Sequence, residues 1–327
     1  MPAYILRRLL LLVPTAAGMV VITFSLLLLI PGDPAAVLLG QEASAADIAN
    51  LRATLGLDLP WGTQLVRYFA ALLQGDMGRS LFQNEAVSVI IAARIGATLE
   101  LAVAALVISI LIGVPLGVLA AMRQGTKVDT GLMLLAQLGV SMPVYWLGIL
   151  LMLAFSVKLG WLPAIGRGEP LGTALLAALS GRPAVLADSL AHLVLPAFVL
   201  GANSAAIISR LVRTSMIEIL QEDFVRTAYA KGLRRSRVMV RHALRNALLP
   251  VISVIGLRFG LLLGGAVLTE SIFGWPGLGQ LTIAAISQRD LPLVQGVTLC
   301  FAMMFALVNL AVDLSYSLVD PRVRMAQ

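Results

Sequence analysis

"DFVRTAYAKGLRRSRVMVRHALRNALLP", residues 223–250, carries seven Lys or Arg side chains inside a chain that is 59% hydrophobic and only 13% charged. A run this basic needs water or an anionic partner, whereas the apolar sequence on either side of it needs lipid or a packed core. The fold turns on which side of a bilayer this run occupies and on what holds it there.

The mean hydropathy of +0.93 over 327 residues lies outside the range of soluble domains. Several stretches exceed the roughly 18 mostly apolar residues needed to cross a bilayer. Six spans are expected, at about 9–30, 97–121, 131–157, 191–212, 249–269 and 293–315, with Pro143 and Pro196 interrupting or beginning helices. Arg7 and Arg8 precede an apolar run that outlasts the roughly 7–15 residues of a secretory signal, so an uncleaved first span is read there. The formal charge of +7 and the pI near 10.2 record basic loops of a membrane protein, and no nucleic-acid partner is expected. Cys300 is the only cysteine, which excludes an intramolecular disulfide.

Basic residues gather on one side of these spans: Arg7 and Arg8, Arg123 and Lys127, the 223–250 stretch, and Arg322 with Arg324. The positive-inside rule makes that side cytoplasmic and puts both termini there. On the other side, residues 46–56 and 62–74 carry apolar side chains at helical spacing, so the first external segment is expected to form short helices. Tyr145, Trp146 and Trp161 suit an interfacial belt, and "ESIFGWPGLGQL" (270–281) reads as a glycine-rich turn outside the fifth span. Phe273 and Trp275 in that turn are candidates for a small apolar plug or gate, with plain packing as the alternative.

The sequence supports no catalytic constellation. It has no GxxxxGK followed by Ser or Thr, so this chain cannot cradle nucleotide phosphates by itself. "GWPGLG" follows a membrane helix rather than a strand, which removes a dinucleotide reading. His192 and His242 fall on opposite sides of the expected membrane, so they form no metal site, and no metal or cofactor is expected on this chain.

Within the basic stretch, Arg234, Arg237, Arg241 and Arg245 recur at spacings of three and four, one face of a helix. Met239, Val240, Ala243, Leu244 and Ala247 fall on the other face. Residues 223–231 predict a second short helix with Asp223 in its first turn, and Gly232 supplies a sharp turn between the two. On charge alone the segment could be a basic loop touching anionic lipid. Lipid binding, however, requires neither a glycine at Gly232 nor a small residue at Ala228.

The run "RTAYAKG" followed by a basic amphipathic helix and "LLP" resembles the EAA loop of importer-type ABC permeases. That loop reads Glu-Ala-Ala, three residues, then Gly; here Arg226 and Thr227 stand at the first two positions and Ala228 at the third. "IPGDP" (30–34), "GDMGRS" (75–80), "ATLELA" (97–102), "GVPLGVLAA" (113–121), "LTESIFGWPGLG" (268–279) and "DPRVR" (320–324) extend the likeness along nearly the whole chain. It is specific to the first, B-type, permease subunit of dipeptide/oligopeptide, nickel and glutathione ABC importers.

This resemblance implies an all-α, six-span, type I importer permease of a bacterial inner (plasma) membrane, with a first helix and external segment over 1–96 and a five-span core over 97–327. The coupling loop would be 213–248, with Asp223, Phe224, Arg226, Thr227, Ala228, Tyr229, Lys231 and Gly232 meeting an ATPase. The implied partners are a homologous second permease, two ATPase subunits that carry the ATP and Mg, and an extracytoplasmic substrate-binding protein. The implied cargo is a di- or oligopeptide, with nickel or glutathione as alternatives; the scarcity of histidine argues against nickel. A self-contained secondary transporter is the rival reading, and it would want several ionisable residues deep in its spans. Arg258 is the deep one here, a candidate path-lining residue about nine positions into the fifth span, with Glu100 and Asp313 near span ends.

The asymmetric arginines make a topological prediction. A reporter fused after Arg324 will be active only in its cytoplasmic form, and one inserted near Gln74 will read as external. Opposite signals would overturn the orientation.

Overall fold

The computed structural model describes residues 2–28, 35–36 and 44–319, which are helices joined by turns, with one isolated β-bridge between Arg79 and Ala86. The chain divides into two compact units, Met1–Ala97 with Pro276–Leu310 and Thr98–Trp275 with Ala311–Gln327.

In the first unit, α1 (Pro2–Leu28) is followed by α2 (Ala45–Leu55) and α3 (Trp61–Leu73), the two short helices expected beyond the first span. Ser44 caps α2 through the Asp47 amide at 3.2 Å, and Gly56 ends it in the left-handed conformation. Phe24 of α1 meets Trp61 and Tyr68 of α3, with ring centroids 6.4 and 5.7 Å apart. Burial pushes the Tyr68 hydroxyl up to about 12. The unit also holds the start of α4 (Val87–Met122) and, later in the chain, α11 (Leu278–Gln288) and the start of α12 (Leu291–Val319). Here "GDMGRS" acquires a physical reason. Asp76 accepts from the Gly78 amide at 2.8 Å, and buried Ser80 donates to buried Asp290 at 2.5 Å. Asp290 in turn opens α12, accepting from the Leu293 amide at 3.3 Å.

The second unit takes up the rest of α4, then α5 (Lys127–Ser141), α6 (Val144–Leu151) with a π-helical end at Met152–Lys158, and α7 (Leu171–Leu179). It continues through α8 (Pro183–Leu220), α9 (Asp223–Ala230) and α10 (Leu244–Ile272). The helices α4 and α8 approach almost backbone to backbone. A Cβ at Gly113 would lie 2.7 Å from the Ala205 carbonyl oxygen, and one at Gly117 would lie 2.5 Å from that of Ser209. Ser109 closes the same seam by donating to the Gly201 carbonyl at 2.9 Å. The landmark "GVPLG" is therefore a GxxxG contact, the arrangement that lets membrane helices pack without a hydrophobic driving force.

The third expected span, 131–157, is not one straight helix. Pro143 pushes Met142 into extended backbone (φ −80, ψ 128), which ends α5, and α6 departs at 106°. Pro196, by contrast, lies inside an unbroken α8. Among the described residues four helices are long and apolar enough to cross a membrane, five if the bent pair is one span, and α1 contributes the shorter apolar stretch Val13–Ser25.

The α4–α8 seam yields a stability prediction. Gly117→Ala forces a methyl onto a carbonyl and should cost about 1–3 kcal/mol, lowering the thermal midpoint of the detergent-solubilised protein. Gly264→Ala, which meets nothing within 4 Å, should leave the midpoint unchanged. Equal midpoints for the two variants would contradict the close approach.

Candidate functional site

The basic stretch forms a knob between α8 and α10. Glu222 precedes α9 with extended backbone, and its carbonyl accepts from the Val225 amide at 3.0 Å. Asp223 lies in the first turn, where a carboxylate meets the helix's positive end. It also accepts from the Arg226 guanidinium at 3.2 Å, but both side chains are largely exposed, so the pair adds at most about 1 kcal/mol. Thr227 donates to the Asp223 carbonyl at 3.0 Å.

The end of α9 explains the spacing between Ala228 and Gly232. The Gly232 amide donates to the Tyr229 carbonyl at 2.9 Å, and the Leu233 amide to the Ala228 carbonyl at 3.3 Å, with Gly232 at φ +76. This is a Schellman closure, which places the left-handed residue four positions after the first carbonyl it satisfies. The reversal brings Leu233 onto the cluster formed by Val225, Ala228 and Val238, with Leu220 from the end of α8.

Arg235–Arg237 then make a short helical turn, and a π-helical turn, Val238–Ala243, leads into α10 without a break. The faces separate as the spacing predicts: Arg234, Arg237, Arg241 and Arg245 are exposed, while Met239, Ala243 and Ala247 are buried. Val240 is the exception, being exposed on the outer side. The buried face joins Ile208, Val212 and Met216 of α8, Ala121 of α4 and Val251 of α10 in one apolar cluster.

The individual candidates fall on two sides. Asp223, Phe224, Arg226, Thr227, Tyr229, Lys231 and Gly232 are exposed, with Phe224 and Tyr229 presenting two aromatic side chains on a small helix. Ala228 is turned inward and packs on its own chain, so a charge there would disrupt the knob itself rather than a surface groove. Phe273 and Trp275 are likewise buried, at 2% and 0% exposure, inside the second unit. Phe273 packs with Leu195 and Val199, and its carbonyl accepts from the Gly166 amide at 2.8 Å. Packing is thus what the structure assigns to both. Arg258 is half-buried on α10, far from the knob along the helix.

Three polar ties of the second unit, besides Ser80–Asp290 in the first, escaped the sequence reading. Arg213 near the end of α8 grips buried Asp129 with two hydrogen bonds of 2.7 Å, and Asp129 also accepts from the Gly125 amide at 3.1 Å. This fixes the 123–129 turn beside the knob's base, and a buried pair of this kind is costly to break from one side. "TKVD" (126–129) has the Ser/Thr-x-x-acid spacing of a helix start, the one signal that could have flagged it. In the same unit Glu100 takes Arg167 at 2.5 Å and the Leu171 amide at 3.2 Å, and the Arg167 guanidinium stands 5.6 Å from the Trp275 ring centre. Thr98 donates to buried Glu270 at 2.7 Å. No local pattern announces these last two.

Among the described residues no cluster of three His, Cys, Asp or Glu side chains could hold a metal. The knob is an apolar-cored, cation-rimmed protrusion that joins α8 through the short turn at 221–222 and runs on into α10 from Arg235. Comparison with known proteins assigns that architecture. Residues 113–325 match the family of the binding-protein-dependent transport system inner membrane component, and residues 1–102 match the N-terminal model of such membrane components. The chain is 44% identical to the dipeptide transport system permease protein DppB of Alkalihalophilus pseudofirmus over 99% of this chain and 100% of that one. The Escherichia coli K12 protein of that name is also 44% identical, over 98% of each chain. The glutathione transport system permease protein GsiC of Salmonella typhi is 41% identical, again over 98% of each.

A chain of the inward-facing MetNI methionine ABC transporter shares the fold, with a TM-score of 0.56 at 17% identity over 71% of this chain and 96% of that one. The expected all-helical, type I importer permease fold is therefore found, as is a non-enzymatic transport subunit of the inner membrane that works with ATPase and substrate-binding partners. The chain belongs to the family of binding-protein-dependent transport system inner membrane components.

Proposed function

We propose that this chain forms, with a homologous second permease, the translocation path of an importer for di- and oligopeptides, driven by two ATPase subunits and fed by an extracytoplasmic binding protein. The short-peptide reading is supported by relatives named for dipeptide and for glutathione, itself a small peptide, at 41–44% identity over nearly the full length. Six spans with both termini in the cytoplasm complete the reading, supported by the distribution of basic residues.

The knob is the coupling element in this proposal, and one observation carries it. Phe224 and Tyr229 stand exposed on α9, one on each flank of the face carrying Val225 and Ala228, which packs on Leu220 of α8 and on Leu233 and Val238 in the stretch that leads into α10. Exposed aromatics on a pre-formed helix are what a protein groove recognises at low entropic cost. Their rigid backing passes any displacement of the helix to the spans. ATP binding would move α9, and α8 and α10 would follow, shifting the path between its inward and outward states.

Substitutions separate docking from folding. Phe224→Ala and Tyr229→Ala should leave the permease folded and in the membrane, but should lose co-purification with the ATPases and peptide uptake. Wild-type association by the double variant would remove α9 from the interface. Gly232→Asn, which tolerates φ of +76, should retain uptake. Gly232→Ala should lose about 1–2 kcal/mol of local stability, and Gly232→Pro should abolish uptake because its φ is fixed near −65°. A Gly232→Pro variant with normal uptake would show that the closure is dispensable.

A further inference from the structure

Two arginines of the second unit sit where apolar surface is expected. Arg258 is the only charged residue between Arg245 and Glu270, 13 and 12 positions away, which puts it about 20 and 18 Å from them along the axis. It lies at the edge of an exposed stripe of α10 that includes Leu257, Leu261 and Leu268. Elsewhere around the helix, Gly256 meets Val312 closely, and Leu262, Leu263 and Ala266 are buried. Among the described residues no hydrogen bond or ion pair holds the Arg258 guanidinium.

Arg210 of α8 is exposed and donates to Gln137 at 3.4 Å, and Gln137 donates to Ser141 at 3.3 Å. Leu200 lies beside Gly265, while Val212 shares a cluster with Val251. The two helices therefore run antiparallel, and Arg258 is level with about residue 206 of α8, roughly one turn from Arg210 in depth. A polar row and a lone guanidinium at this depth exclude a purely lipid-facing surface. Asp129, at the start of α5 beside α8's inner end, is already taken by Arg213.

We propose that Arg258, with Arg210 about one turn away in depth, forms a cationic station on a water-filled path and attracts the carboxylate of a passing short peptide. This rests on the importer reading above. A guanidinium accepts a carboxylate on two N–H groups. In a wet path the attraction is weak enough to release its guest, as conduction through a multi-site path requires. The arginines supply charge without a shape-specific pocket, which suits cargo that varies in side chain but keeps its terminal carboxylate.

The test uses the assembled complex in vesicles, with Cys300→Ala as the parent and glycylglycine as the transported probe. Arg258→Cys should assemble with its partners and lose about tenfold or more in uptake, the scale of a charged hydrogen bond. A thiosulfonate reagent that attaches an ethylammonium to the new thiol should restore uptake, and one that attaches an ethylsulfonate should not. Arg258→Lys should retain most of the uptake, and Arg210→Cys should show the same charge-dependent rescue more weakly. Failure of the thiol to react, equal rescue by both reagents, or full uptake by unmodified Arg258→Cys would each end the proposal. Non-assembly of Arg258→Cys together with Arg258→Lys would assign the arginine to an ion pair with the second permease, which also ends it. A complex with the parent chain that assembled yet took up no peptide would instead overturn the importer reading.

Discussion

Burial of Val225 and Ala228 against Val238 is possible only because the chain reverses within two residues at Gly232. A valine contributes about 1.5–3 kcal/mol when removed from water and an alanine methyl about 0.8, together enough to hold an eight-residue helix that could not stand alone. The reversal needs a left-handed residue one step beyond the helix cap, and Gly232 occupies that position. Everything outward of this contact follows from it. Phe224 and Tyr229 are left exposed on the two flanks of that contact, and the arginines of the next helix fall on the water side because Met239, Ala243 and Ala247 take the core side.

The knob's base is held as firmly as its tip. Met216 and Val212 carry the cluster into α8, and α8 in turn is pressed onto α4 at Gly113 and Gly117. The Asp129–Arg213 pair then ties the start of α5 to the same end of α8. Three spans thus converge on one small body through apolar contact, close backbone packing and one buried ion pair. Only the short turns at 221–222 and 231–234 flank α9, and the π-helical turn at Val238–Ala243 keeps the backbone helical from Arg235 to Ile272. A displacement applied at α9 has few ways to dissipate before it reaches the membrane.

Much of this was legible in the sequence because it depends on local periodicity. The arginine spacing, the glycine turn, the two short helices after α1 and the long apolar runs are patterns within a single segment. The direction of Ala228 was not legible, since an eight-residue helix with small and apolar residues on two sides does not say which side is covered. The burial of Trp275 and Phe273 was not legible for a similar reason, because aromatic residues in a glycine-rich turn look displayed until the 166–167 segment is seen on them. The 106° bend was underestimated because a proline in a membrane helix can be absorbed, as Pro196 is, or can end the helix, as Pro143 does. The polar ties Ser80–Asp290, Thr98–Glu270 and Arg167–Glu100 join residues separated by 210, 172 and 67 positions, beyond the reach of any local pattern.

The central claim is that the knob and the ends of α5 and α8 move as one body. Spin labels at Lys127 and Lys231, both exposed, placed in the Cys300→Ala chain of the assembled complex, test it by pulsed dipolar distance measurement. The inter-label distance distribution should be the same without nucleotide and with ATP trapped by vanadate, even as uptake proceeds through the full cycle. A shifted or broadened distribution on ATP binding would show that the knob swings independently of the spans, and the account of force transmission would fall.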